Sequence, residues 1–337
     1  MIACLIVASL IFAFFFDSTI RQVQILYDDD MNMIGAAPFN PSLMFPMGTD
    51  ALGYDTAMKV LQGAKFTLIS VIAIGLLRVC TAFLFAIPLA MYTPDRLRKS
   101  LEQLLSSFYF VPLTIVAVFI LTPVLWEQFR MPGWEEYFLY SYKARIGIEI
   151  LVLTLLVVPL LGSLIANLIV SSLKEDFIEG AKVLGASKWR VFSKHIMPHV
   201  LPKLVIVFCQ QCVQVLVIFI HLGYFKLFFG GTDVDYNPYE ADPPLSTTNE
   251  WSGLIGDYYN LLHANPAIAL GPIFMFGICI YAFQLMAEGF QHHLDTRNVM
   301  GMTRSKIKQD DFAERARINM KFEFLSKRGD YIDKKFY

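Results

Sequence analysis

The side chains that could do chemistry in this chain lie inside apolar sequence. Gln210, Gln214 and His221 occur in one apolar run at offsets 0, 4 and 11, close to one face of a 3.6-residue helix. Glutamine both donates and accepts hydrogen bonds, so such a face could line a hydrated cavity that handles amide groups; it would serve equally as glue between helices. Arg78 sits near the middle of another apolar run, where a charged group is expensive. It either pairs with an acid or backbone carbonyls of a neighbouring helix, or meets an anionic part of a ligand. Cys209 and Cys212 spell C-x-x-C around Gln210 in the first of these runs, without a thioredoxin-like pattern around them, which reads as helix packing. Cys4, Cys80 and Cys279 are also embedded in apolar sequence, so no disulfide framework is expected.

Other chemistries have no residues to carry them. The sequence holds no G-x-x-x-x-G-K-[ST] loop to cradle a nucleotide, no His-Glu-x-x-His, no nucleophile elbow and no Cys/His set with metal-ligand spacing. No catalytic residue, metal or cofactor is therefore expected in this chain, and energy for any work must come from a partner. A net charge of -1 implies no nucleic-acid surface.

The elements that would position these groups are membrane spans. Of 337 residues, 55% are hydrophobic and 17% charged, against roughly 25% charged in soluble chains. Residues 1–16 read as a first span, with neither the leading Lys or Arg nor the A-x-A site of a cleaved signal. A polar segment follows to about residue 65, in which Asp55 is expected to cap a short helix that Gly63 ends. Further spans are expected over 66–92, 104–125, 148–170, 204–222 and 266–287, giving an all-α polytopic membrane protein of six transmembrane helices. Lys and Arg number twenty in the loops at 93–100, 171–203 and 288–337, against six in those at 17–64, 126–146 and 223–265. The positive-inside rule then places both termini in the cytoplasm.

One of the basic loops, Glu175 to Pro202, is more than a connector. Phe177, Ile178, Ala181 and Leu184 share one face of a short helix, Gly185 interrupts it, and Ser187 can cap a second helix carrying Trp189, Val191, Phe192 and Ile196. Pro198 and Pro202 are expected to limit that second helix. The product is a helix-Gly-helix elbow with an apolar stripe, either an interfacial helix or a protein-docking device.

Glu179, Gly180, Ala181, Gly185, Ile196 and Pro198 resemble the E-A-A...G.........I.LP signature of ABC importer permeases, with Gly180 in place of the usual first alanine. Gly48, Thr49, Asp50, Gly53, Asp55 and Gly63 resemble the P-L-G-T-D-x-x-G-R-D...G-A-R segment of the second (C-type) permease of dipeptide, oligopeptide and nickel importers, although Tyr54 and Lys65 replace its arginines. Glu288, Gly289, Leu294, Asp295 and Arg297 resemble the G-D-x-L-R-D-x-L-D-P-R ending of the same proteins, with Thr296 where proline is common.

The resemblance implies a type I ABC importer permease fold in a bacterial cell membrane, with a peptide as cargo. Its implied partners are two ABC ATPase subunits that bind ATP and Mg, a homologous permease in a heterodimer, an extracytoplasmic solute-binding protein and membrane lipid. Glu179, Gly180, Ala181, Leu184, Gly185 and Trp189 would then seat the elbow in an ATPase groove, and Gln210, Gln214, His221 and Arg78 are candidates for the translocation path. The outer loop from Gly223 to Asn265, with Asp233, Asp235, Glu240 and Asp242, would offer a docking face for the binding protein. Residues 301–337 form a charged tail that either lies on anionic lipid or makes an extra ATPase contact. Two alternatives stay open. Met31, Met33, Met44 and Met47 could be cited for a nickel or metal-chelate importer, and the tail for a non-transporting regulatory subunit.

Overall fold

The computed structural model describes residues 1–15, 20–28, 30, 32–126, 128–130, 135–233, 245–259, 262 and 265–296. Asp17, Asp29, Met31, Asp235, Glu240, Asp242, Arg297 and the tail at 301–337 lie outside them.

Helix α1 covers Ile2–Phe15 and is apolar all round. Helix α2, Thr56–Met91, is 36 residues long, about 54 Å at 1.5 Å per residue. Asp55 caps it as expected, its carboxylate accepting from the Ala57 N–H at 3.0 Å. Gly63 does not stop the helix. A side chain at Gly63 would meet the Asn249 carbonyl at 2.0 Å, so this glycine serves backbone approach by a distant segment.

Helix α3 covers Asp95–Ser107 and α4 covers Leu113–Leu125. The expected continuous span from Leu104 is instead broken by a 3₁₀ turn at Phe108–Phe110. Pro112 drives the break, because the residue before a proline is pushed out of the helical region, and Val111 is indeed extended. Leu104 therefore belongs to α3, whose stripe of Leu97, Leu101, Leu104 and Leu105 opposes a charged face.

Helices α5, Tyr142–Leu155, and α6, Val158–Leu173, stand where one straight span is expected and are bent by 44° at their junction. Pro159 in the first turn of α6 has no N–H to continue the ladder of α5. Helix α7, Asp176–Val183, and α8, Lys188–Val191, form the elbow. A π turn at Phe192–Ile196 then joins α8 to α9, Met197–Tyr224. Pro198 and Pro202 thus fail to end the second elbow helix, which runs on as one 37-residue helix from Lys188 to Tyr224. The π turn explains how Pro198 is admitted: Lys194, whose carbonyl the proline ring would strike in an α-helix, lies within the widened turn. A short helix α10, Trp251–Tyr258, and α11, Pro266–Thr296, are the remaining described helices.

Among the described residues, three helices are long and apolar enough to cross a membrane singly, α2, Lys188–Tyr224 and α11, and the bent α5–α6 pair, taken as one span, makes a fourth. Ile2–Phe14 and Leu113–Leu125 are apolar but shorter, in the places expected for the first and third spans. Residues Met1–Ala287 form one compact unit and Glu288–Tyr337 another. The first unit has two cores. One gathers α10 with facing residues of α2, α4, α9 and α11 around Trp251 and Phe276. The other joins the last turns of α2 to α6 and the elbow around Ile165, Ile178, Phe192 and Ile196.

Candidate functional site

The elbow's shape follows from a few local rules. Asp176 and Glu179 occupy the first turn of α7 and Lys182 the last, which suits the helix dipole. The helix closes in a Schellman motif: the Gly185 N–H donates to the Lys182 carbonyl at 2.9 Å and the Ala186 N–H to the Ala181 carbonyl at 3.1 Å. That motif needs a left-handed residue, and Gly185 supplies it at φ +81°. Ser187 then caps α8 by accepting from the Arg190 N–H at 3.4 Å.

The apolar stripe divides on packing. Ile178 is fully buried and anchors α7 to the inner core, so it is not part of the exposed stripe the helical spacing suggests. Leu184 is 88% exposed and Val183 87%, with Trp189 at 65%. Trp189 leans on Phe192 with ring centroids 5.6 Å apart, and Phe192 is itself buried and stacked on Phe83. Glu179 is exposed and Ala181 half-buried. A side chain at Gly180 would meet nothing within 4 Å, so no contact inside this chain requires a glycine there. The elbow is thus a firmly rooted knuckle whose outer surface offers Val183, Leu184 and Trp189 among Lys182, Lys188 and Arg190. Val183 went unnoticed in the sequence because it lies off the face that Ile178 defines.

The intramembrane polar groups do not assemble as their spacing suggests. Arg78 is completely buried; its Nε donates to the Leu153 carbonyl at 2.8 Å, and Nη1 donates to Gln214 Oε1 at 3.2 Å and Gln211 Oε1 at 3.4 Å. The Leu153 carbonyl is available because of the bend: the Val157 N–H that would reach it in an unbroken helix goes to Thr154 instead, at 3.3 Å. Arg78 therefore pins the broken span to α2 and α9. Gln210 and His221 are exposed and lie apart from this cluster, whereas Gln211, which the spacing argument left out, joins it. Sequence could have flagged Gln211 only through the bend at 156–157, and Pro159 is its one signal.

At the other end of α9 a second polar network locks α10 in place. Glu250, fully buried, accepts from the Ser252 N–H and Gly253 N–H, both at 2.7 Å, and from the Phe229 N–H at 3.3 Å. Trp251 donates from Nε1 to the Val60 carbonyl at 2.8 Å, and its backbone N–H to Thr67 Oγ1 at 3.0 Å. Burial pushes the Asp257 carboxyl up to about 7, although Lys59 and Lys226 pull it back. The G-T-D-x-x-G-Y-D stretch serves the same region. Asp50 pairs with Lys59 at 2.6 Å and Asp55 with Arg21 at 3.1 Å, while Asp50 Oδ1 accepts the Tyr54 N–H at 2.8 Å to close a turn. Of the methionines, Met33 and Met44 are exposed and Met47 packs against Gly271, so these three form no common site. Among the described residues no group of three or more His, Cys, Asp or Glu could hold a metal. Cys209 and Cys212 are both buried and unbridged.

Residues 82–299, which include the bent span, the elbow and α9, match the model of the family described as binding-protein-dependent transport system inner membrane component. The dipeptide transport system permease protein DppC of Alkalihalophilus pseudofirmus is 23% identical over 76% of this chain and 73% of its own length. The oligopeptide transport system permease protein OppC of Haemophilus influenzae is 25% identical over 80% and 76%. A solved chain from inward-facing MetNI methionine ABC transporter aligns at 14% identity with TM-score 0.47, over 68% of this chain and 92% of that one. With a family match over most of its length, centred on a rooted elbow between long apolar helices, the chain belongs to the binding-protein-dependent transport system inner membrane components, the multi-pass permeases of ABC importers.

Proposed function

We propose that this chain is the C-type permease subunit of a bacterial importer that carries di- or oligopeptides, driven by ATP hydrolysis in partner subunits. The observation that carries the reading is the elbow. It projects exposed Val183, Leu184 and Trp189 from a base anchored by buried Ile178, Phe192 and Ile196, within the family's matched region. The names of the dipeptide and oligopeptide relatives support the cargo class.

In this reading both termini and the elbow face the cytoplasm. Leu184 and Trp189 fill an ATPase groove, Glu179 supplies a charge at its rim, and Gly180, Ala181 and Gly185 permit close approach. ATP and Mg reside in two ATPase subunits, a homologous permease completes the path, and a solute-binding protein delivers cargo to the outer face formed by the 223–265 loop. Closure of the ATPases draws the elbows together, and because α7 is rooted in the core shared by α2, α6 and α9, the motion passes to the spans.

The test is reconstitution of the chain with its partner permease, ATPases and binding protein in vesicles, followed by ATP-dependent uptake of labelled peptides. Accumulation that requires ATP and stops on replacing Gly185 with arginine supports the reading. Vesicles that hydrolyse ATP yet accumulate no peptide would sink it.

A further inference from the structure

The two cores of the first unit part at one level of the helices. On α2 the outer core, around Trp251 and Phe276, takes Val60 to Ile74, and the inner core, which holds the elbow, takes Val79 to Ala90. The same change falls between Leu153 and Val157 at the α5–α6 junction and between Val207 and Cys212 on α9. Arg78, Gln211 and Gln214 stand at that seam or within a turn of it. Two buried polar atoms there have no partner, Arg78 Nη2 and Thr154 Oγ1, and among the described residues no carboxylate pairs with Arg78. At the same level α2 and α9 approach through a glycine: a side chain at Gly75 would meet Cys212 Sγ at 2.8 Å.

A close-packed core resists deformation, so relative motion concentrates where one core gives way to another and polar atoms go unsatisfied. The α5–α6 junction also has a second arrangement open to it. The Leu153 carbonyl accepts from Arg78 Nε at 2.8 Å, and the bend sends the Val157 N–H to Thr154. With less bend the same carbonyl would take the Val157 N–H, its ordinary helical donor four residues on. Pro159 withholds an N–H only from the Leu155 carbonyl, which kinks a helix without breaking it, so the straighter span suits this sequence. One carbonyl with two alternative donors is a two-state element. We propose that this seam is a hinge, at which the inner core and its elbow swing against the outer core about the Gly75–Cys212 contact while Arg78, by holding or releasing the Leu153 carbonyl, selects the bent or the straighter span. The inference rests on the transport reading above and deepens it. Arg78 is in this scheme a positioning residue that touches no cargo, whereas a static pin would keep the same bend in every state.

The test uses the assembled transporter in proteoliposomes, with exposed Cys4 and Cys80 changed to serine and spin labels attached at Lys143→Cys and Ser171→Cys, exposed positions near the two ends of the bent pair. Their separation is measured by electron–electron double resonance without nucleotide and with ATP trapped by vanadate. Removing the 44° bend lengthens that separation by up to about 3 Å at 1.5 Å per residue. The wild type is expected to exchange a shorter for a longer distance between the two conditions. Arg78→Met, which keeps the bulk and removes the donors, should show both distances in each condition. Arg78→Lys keeps the charge but cannot serve the carbonyl and the glutamines together, and as the milder variant it should show the same mixing to a smaller extent. A wild-type separation that ignores nucleotide overturns the hinge. Wild-type behaviour of both variants overturns the role of Arg78. Uptake of labelled peptide by the same preparation separates the two readings. An unchanged separation beside normal uptake sinks only the hinge, and a separation that follows nucleotide without uptake sinks only the transport reading.

Discussion

Replacing Leu184 with alanine separates what the elbow does for the fold from what it does for a partner. Leu184 is 88% exposed, so the chain on its own loses almost nothing, within about 0.5 kcal/mol. Complete burial of a leucine side chain is worth about 1.5–3 kcal/mol. If an ATPase groove covers this residue, the substitution removes about 2 kcal/mol of binding, roughly a thirty-fold loss of affinity. Ile178→Ala is the contrasting change two turns earlier. Ile178 is fully buried between α7 and the inner core, and its truncation should lower stability by about 2–5 kcal/mol. The assay pairs thermal unfolding of the purified permease with titration of its ATPase partner, both in lipid nanodiscs. Leu184→Ala should melt with the wild type and bind weakly; Ile178→Ala should melt early. Wild-type ATPase affinity for Leu184→Ala, or a melting loss as large as that of Ile178→Ala, would refute the division of labour drawn here.

The same elbow predicts opposite signs for its two glycines. Gly180→Ala introduces no clash and should stabilise α7 by up to about 1 kcal/mol, whereas Gly185→Ala forces a left-handed alanine and should cost about 1–2 kcal/mol; thermal unfolding of both variants decides. Arg78→Leu leaves the Leu153 carbonyl and two glutamine oxygens without their donor and should destabilise the protein by about 1–3 kcal/mol, a loss that equal melting temperatures would disprove. Asp257, held up to about 7 chiefly by burial, binds its proton more tightly folded than unfolded. Its stabilising contribution is therefore complete below about pH 4 and lost as the pH rises through about 7. Amide protection in α10, taken relative to intrinsic exchange, should fall between about pH 4 and pH 7, and Asp257→Asn should flatten that dependence.

How much was legible beforehand depends on the range of the interaction involved. Sequence alone determined the membrane class, the basic loops, the Asp55 cap and the helix-Gly-helix elbow, because apolar run length, charge counting and a left-handed glycine are decided within a few neighbours. The tertiary structure decided the rest. Gly63 reads as a helix stop, yet the helix continues through it, and the bare backbone there admits the Asn249 carbonyl from far along the chain. Pro198 reads as a terminator, but a π turn widens the helix at the carbonyl its ring would have struck. Ile178 and Leu184 fit one helical face on paper; packing against α6 and α9 buries the first and leaves the second bare. Gln210 and Gln214 share a face by spacing, while the partner actually chosen with Gln214 is Gln211, since Arg78 reaches across from α2 to serve a carbonyl freed by the bend at Leu156 and Val157. Periodicity states which residues point the same way along one helix, but only the approach of a second helix states which of them has something to touch.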